Sequence, residues 1–191
     1  MSKFFHKCII ITAPSGAGKT SITHYLMKTF PQLAFSVSAT TREPRVNENN
    51  AEDYYFISVE DFKEKIQRKE FIEWEMVYEG KYYGTLKQEL ERLWAMDRLP
   101  VLDIDVQGAI HVQQQYPSNT ISIFIQPPSI NELKKRLEAR GSETAMSLES
   151  RINKAAYELS FHHYFENVIV NNSFENACAD AKKIVQTFID I

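Results

Sequence analysis

The sequence predicts an α/β fold in which a parallel sheet carries helices on both faces and is interrupted by a β-rich insert. Three observations predict it. Short β-branched apolar runs alternate with segments of helical periodicity along most of the 191 residues. Several of those runs are apolar throughout instead of alternating, as strands covered on both faces are. Between residues 35 and 85 the rhythm breaks into aromatic, strand-rich sequence with a hairpin signal at Glu79-Gly80.

Each element has its own warrant. Cys8 to Ala13 is a β-branched apolar run followed by Pro14 and glycines, a buried strand feeding a loop. Thr20 to Phe30 carries Ile22, Tyr25, Leu26 and Phe30 at helical spacing and stops before Pro31. Residues 33–41, LAFSVSATT, read as a short strand running into a polar loop that continues from Arg42 to Asp53. Tyr54 to Ser58 is a strand, and Val59 to Lys69 an amphipathic helix. Residues 70–85, EFIEWEMVYEGKYYGT, form two strands about Glu79-Gly80, and Leu86 to Met96 is a helix. Residues 99–108, LPVLDIDVQG, read as a strand with Asp103 and Asp105 at its carboxyl end. Thr120 to Pro128 is an apolar strand stopped by prolines, and Ser129 N-caps a helix reaching Arg140. Ser147 to Phe165 reads as one long helix, residues 167–171 as a last strand, and Phe174 to Ile189 as a terminal helix.

Hydrophobic residues make up 43% and charged residues 25%, ordinary values for one well-packed domain. The net charge of −3 gives no general attraction to nucleic acid or acidic membranes, so neither is expected as a partner. Any anion site must come from local clustering of Arg and Lys. Cys8 and Cys178 form no CxxC pair and read as packed, reduced thiols. The apolar start is too short for a signal peptide, and no run approaches the ~18 residues of a membrane span. A cytoplasmic chain is expected. The five histidines form no metal-binding pattern; His162 and His163 are adjacent on a helix and face different ways.

The most specific motif is Ala13-Pro14-Ser15-Gly16-Ala17-Gly18-Lys19-Thr20, one residue short of the G-x-x-x-x-G-K-[ST] phosphate-binding loop. Glycines there let successive backbone N–H groups point at phosphate oxygens, and the following helix adds the positive end of its dipole. Lys19 would reach the β- and γ-phosphates and the Thr20 hydroxyl would bind Mg²⁺. Ala13 replaces the first glycine and fits if its φ stays negative. The loop alone leaves GTPase, ATPase and kinase open. Asp105-Val106-Gln107-Gly108 fits a D-x-x-G switch, but Asn153-Lys154 is followed by two alanines where a base-reading N-K-x-D needs aspartate.

Two further clusters matter. In the insert, Ser38, Arg42 and Arg45 lie close in sequence, with Tyr54 and Tyr83 beyond; two arginines and tyrosyl hydroxyls suit a phosphate monoester. Glu73 sits among apolar neighbours, and a carboxylate accepts from the N1–H and 2-amino group of guanine, which adenine lacks. Ser38 and Thr85 could serve other base-edge atoms. Taken singly, Glu73 also reads as an edge carboxylate facing water, and the arginines as a solvated loop. The other cluster places Arg136 and Arg140 on one helix face and Arg151 on the next helix, beside a polar GSET tip suited to a lid.

Together these stretches resemble guanylate kinase nearly end to end: APSGAGKT, FSVSATTREPR, DYYF, EFIEWEMVYEGKYYGT, VLDIDVQG, PPSINELKKRLEARGSE and VIVNN, in that order. The resemblance implies a P-loop core (1–34, 86–128 and 166–191), a GMP-binding lobe (35–85) and a helical lid (129–165) within a single domain. It implies ATP-dependent phosphorylation of GMP with Mg²⁺. By position it makes Ser38, Glu73 and Thr85 guanine contacts, with Asp105 near the base, and Arg42, Arg45, Tyr54 and Tyr83 contacts of the GMP phosphate. Residues 13–20 would hold ATP, with Asn171 by the adenine. Lys19, Arg136, Arg140 and Arg151 would act on the transferring phosphoryl group. Asp103 would act on Mg²⁺ through water. Asn47 and Ala51 stand where the family often has glycine, which puts the loop between Arg45 and Tyr54 in question. Two alternatives remain: a nucleoside monophosphate kinase of another base preference, and a guanylate-kinase-like binding module without catalysis. Whether the chain forms a homo-oligomer is open.

Overall fold

The computed structural model describes residues 3–139 and 145–190. Two sheets organise it. The larger has five strands, all parallel: β1 (Cys8–Thr12), β2 (Leu33–Phe35), β7 (Leu99–Asp103), β8 (Thr120–Gln126) and β9 (Asn167–Val170), in the order β2-β7-β1-β8-β9. β1 is central and buried at every residue, which suits its three consecutive isoleucines. Helices α1 (Lys19–Thr29), α3 (Lys87–Ala95), α4 (Val106–Gln115) and α7 (Phe174–Asp190) pack against it. Ile22, Leu26, Leu90, Val112, Ala181 and Val185 all enter one apolar cluster with the strands.

In this order the chain leaves β1 toward one edge of the sheet and returns from β7 to the other. The crevice at the carboxyl ends of β1 and β7 is therefore the switch point where such sheets bind ligands.

The second sheet has the order β4-β3-β6-β5: β3 (Ala39–Thr40), β4 (Tyr55–Phe56), β5 (Phe71–Tyr78) and β6 (Lys81–Leu86). β3 and β4 are parallel, and the remaining pairs are antiparallel. Helix α2 (Val59–Gln67) covers it, with Phe62 fully buried and stacked on Phe71 at 4.3 Å. Ser58 caps α2, accepting from the Asp61 N–H at 3.0 Å. Residues 33–41 thus divide: one part joins the large sheet, and after Ser36–Ser38 the rest joins the small one.

Glu89, buried at the start of α3, fastens this crossing. It accepts from the Val37 N–H at 3.2 Å, the Tyr55 hydroxyl at 3.0 Å, and Arg92 Nε and Nη2, both at 2.9 Å.

Three element readings are corrected. The strand ends at Asp103, and Asp105 instead N-caps α4, accepting from the Gly108 N–H at 2.8 Å. Asp105-Val106-Gln107-Gly108 therefore opens a helix instead of extending a strand. The helix read as 147–165 is α6 (Ala145–Leu159), followed by a 3₁₀ turn at His162–Tyr164. Tyr54–Ser58 shortens to a two-residue strand because only Tyr55 and Phe56 find ladder partners. Helix α5 (Ile130–Ala139) begins as expected, with the Ser129 hydroxyl accepting from the Glu132 N–H at 3.1 Å.

Candidate functional site

The loop between β1 and α1 wraps one end of a cavity of about 380 Å³. Gly16 (φ 92°) and Gly18 (φ 104°) both take left-handed backbone, which L side chains rarely adopt. Space adds a second constraint at Gly18: a Cβ there would lie 2.3 Å from Asn171 Nδ2. Ala13 is not among the positive-φ residues, so alanine fits the loop entry without strain. Lys19 forms an ion pair with Asp103 across the β1–β7 crevice. Thr20 and Ser21 also line the cavity, at the first turn of α1.

Asn171, just beyond β9, is buried, and its Nδ2 donates to the Ala17 carbonyl at 2.7 Å. Its own carbonyl accepts from Arg136 Nη2 at 3.1 Å, and Arg136 Nε also bonds Glu132 at 3.3 Å. Neither residue lines the cavity. Asn171 braces the phosphate loop from behind, and Arg136 braces Asn171. Arg151, on α6, does line the cavity and donates to Ser15 Oγ at 3.4 Å. Arg140 lies outside the described residues.

The opposite end of the cavity belongs to the small sheet and α4. Glu73, Glu75 and Val77 on β5 face it, while Trp74 and Met76 between them are exposed on the other side, as strand alternation requires. Glu73 is 6% exposed and accepts the Thr85 hydroxyl at 2.6 Å. Burial, the largest influence, pushes its carboxyl up to about 7. Thr85 is buried and spends its proton on Glu73, so the structure makes it a support of that carboxylate and not part of the cavity wall. The helix α4 comes close at Gly108, where an added Cβ would lie 2.6 Å from Glu73 Oε2.

Ser38, Tyr54, Tyr83, Asp103 and Asp105 line the cavity as the sequence suggests. Tyr54 and Tyr83 meet edge to face at 6.0 Å. Arg42 is not on the wall. Its guanidinium lies 4.9 Å over the Tyr54 ring and grips Glu48 with two bonds of 2.6 and 2.7 Å. That grip holds the Glu48 carboxyl down to about 2. Arg45 is exposed; its backbone N–H donates to Glu48 at 2.9 Å. The loop in question closes on its own polar groups: Asn49 N–H to Asp53 at 2.8 Å, Ala51 N–H to the Tyr54 carbonyl at 2.8 Å, and Phe56 N–H to Asn50 at 3.0 Å. Ala51 takes the left-handed φ of 66° that alanine disfavours.

Several cavity residues carry no sequence signal of their own. Glu75 lies within hydrogen-bond reach of Asp105, and that contact is the first cause of its raised pKa, followed by burial. Lys154 and Glu158 face the cavity from α6, 3.8 Å apart, one and two turns after Arg151. Burial lifts Glu158 to about 7. Helical spacing of i, i+3 and i+7 from Arg151 could have flagged them. Among the described residues no cluster of three His, Cys, Asp or Glu is arranged to hold a metal, and no helix is long and apolar enough to cross a membrane. Both cysteines are buried, and burial pushes the Cys8 thiol up to about 11, leaving it unreactive.

The chain is similar to known proteins along most of its length. The guanylate kinase family model matches residues 5–188. The chain is 45% identical over 185 residues to a guanylate kinase of Bacteroides fragilis, covering 97% of this chain and 91% of that one. It is 41% identical to a guanylate kinase of Porphyromonas gingivalis, covering 96% and 98% respectively. The crystal structure of guanylate kinase from Anaplasma phagocytophilum superposes with a TM-score of 0.75 at 29% identity, over 95% of this chain and 85% of that one.

Proposed function

The chain belongs to the guanylate kinase family and is a phosphotransferase, and from that premise we propose that it transfers the γ-phosphoryl group of ATP to GMP in cytoplasmic purine nucleotide metabolism. One observation carries the assignment of substrates to ends. A single cavity has phosphate-loop glycines with Lys19 at one end and a buried carboxylate, Glu73, at the other. The first end suits a polyphosphate. The second suits a base with hydrogen-bond donors on its edge; adenine would leave Glu73 unpaired in a desolvated site.

The division of labour follows from the chemistry. The acceptor is a phosphate oxygen of GMP, whose second pKa near ~6 leaves it largely ionised at neutral pH. No general base is needed. The protein must bring two anions together and spread the charge that develops between them. Lys19 and Arg151 supply fixed positive charge beside the phosphate loop, with Lys154 further along the same helix face. Tyr54 and Tyr83 orient the monophosphate from the small sheet, with Arg42 and Arg45 beyond them, and Ser38 serves the guanine edge with Glu73. The Thr20 hydroxyl and Asp103 carboxylate are hard oxygen donors that fit Mg²⁺, Asp103 through water, and the ion would neutralise charge on the phosphates. Arg140 is proposed as a further lid cation by family resemblance alone. ATP and GMP are the partners this reading requires.

A coupled ADP-release assay with GMP, AMP, UMP and CMP tests the proposal. GMP alone should support rapid turnover, and Glu73→Ala should abolish the preference. Equal turnover of AMP would refute the assignment of the carboxylate end. No GMP-dependent ADP release with intact ATP binding would favour the non-catalytic module.

A further inference from the structure

The carboxylate end of the cavity holds more acceptors than Glu73 alone provides. Glu75 lies two residues along β5 on the same face, and both line the cavity. Its Oε2 is buried and has no hydrogen-bond partner. A buried acceptor without a donor is costly, so such an atom in a ligand cavity is matched by a donor on the ligand.

The position of Asp105 says which part of the ligand that is. Asp105 Oδ1 and Glu73 Oε2 both approach the point where a Gly108 Cβ would stand, at 3.3 and 2.6 Å. These two carboxyls therefore converge on one place, and Glu75 reaches Asp105 from the strand side. The phosphate of a nucleoside monophosphate is largely ionised and offers few donors. The guanine edge offers three: one on N1 and two on the 2-amino group. Glu73, which also accepts from Thr85 on Oε1, can pair with N1–H and the amino hydrogen beside it, but the second amino hydrogen points away from N1 and needs an acceptor elsewhere.

We propose that Glu75 is a specificity-determining residue that, beside Asp105, accepts a hydrogen bond from the 2-amino group of guanine. It makes the enzyme discriminate between guanine and hypoxanthine, which differ only in that group. The inference rests on the proposed reaction.

The test compares kcat/KM for GMP, IMP and dGMP in the wild-type enzyme, Glu75→Ala and Glu75→Gln, each checked by thermal melting. Wild-type enzyme without GMP turnover would refute the underlying reaction. With turnover present, Glu75→Ala should lower the GMP-to-IMP ratio about tenfold, mainly through the KM for GMP. Glu75→Gln should stay within about threefold of wild type. Its amide can donate to Asp105 and keep an oxygen for the base. An unchanged ratio in Glu75→Ala, an equal loss for both substrates, or a Gln variant as impaired as Ala would overturn the proposal. So would loss of discrimination between GMP and dGMP instead, which would move the contact to the ribose.

Discussion

Replacing Gly108 by alanine adds a single methyl group at the point where α4 meets β5. That methyl would sit 2.6 Å from Glu73 Oε2, where ordinary contact begins at 3.4 Å, so the carboxylate must retreat by about 0.8 Å. Its bond from the Thr85 hydroxyl is 2.6 Å long. A shift of that size stretches it to the limit of a hydrogen bond and moves the acceptor away from the base. A hydrogen bond to a charged group contributes about 1.5–3 kcal/mol, so kcat/KM for GMP should fall roughly 10- to 150-fold. Folding stability should barely change, because alanine favours a helix over glycine by about 1 kcal/mol and offsets the displaced carboxylate. Gly108 is far from the phosphate loop in the chain and does not line the cavity, so the KM for ATP should hold within about twofold. Steady-state kinetics with each substrate varied, alongside a thermal melt, reads all three quantities. A Gly108→Ala enzyme with wild-type KM for GMP would refute the argument that this glycine makes room for Glu73.

Other expectations follow from the same geometry. Glu73 carries a carboxyl raised by burial from the ordinary 4.5 to about 7, so the folded state binds more protons than the unfolded chain between those values. Stability should therefore fall as pH rises through that window, and Glu73→Gln should be more stable than wild type at pH 8 by on the order of 3 kcal/mol. The difference should vanish below about pH 4.5, as urea melts across pH would report; a wild type as stable as the variant at pH 8 contradicts this. GMP affinity should run the other way, weakening below pH 7 as Glu73 is protonated, and calorimetric titration should detect it. Asn171→Ala removes the donor that braces the Ala17 carbonyl, so the KM for ATP should rise about tenfold while GMP binding stays unchanged. Equal losses for both substrates would instead mean a general collapse of the fold.

The phosphate loop was legible because its chemistry is local: glycines, a lysine and a threonine in one stretch define the backbone path and its ligands. Ala13 stands where the pattern asks for glycine and avoids positive φ, so the loop's entry tolerates a side chain. Glu73 was legible as an acceptor, but its partner was not. A regular hairpin about Glu79-Gly80, with Tyr78 opposite Lys81, would set Trp74 opposite Thr85. A register shift between Met76 and Tyr78 brings Thr85 opposite Glu73 instead, and it pairs the whole stretch from Glu73 to Met76 one residue out of that regular register. No residue in the sequence announces that shift.

The basic clusters suit phosphate by their chemistry, and in this structure Arg42 and Arg136 each hold a carboxylate, at Glu48 and Glu132. Sequence proximity shows which charges are near one another, but pairing depends on how the loop folds. Asp105 is a good N-cap for α4, but an aspartate at that place fits the end of a strand equally well, so the sequence alone does not mark where the helix begins.

The carboxylate of Glu89 has a mechanical consequence. Helix α3 is anchored in the large sheet's core through Leu90 and Trp94, while the donors at Val37 and Tyr55 belong to the segment that enters the small sheet. The two bodies meet at this buried ionic point and again where β5 lies against α4, with Ile72 inside the large sheet's apolar cluster and Gln115 Nε2 donating to the Ile72 carbonyl at 2.6 Å. Two separated contacts define an axis, and turning about it moves the far side of the small sheet without parting either one. A rotation about that axis leaves nearby atoms almost still and carries distant ones far. Ser38, one residue from Val37, would keep its distance to the core, while the outer loop bearing Arg45 would sweep through the widest arc.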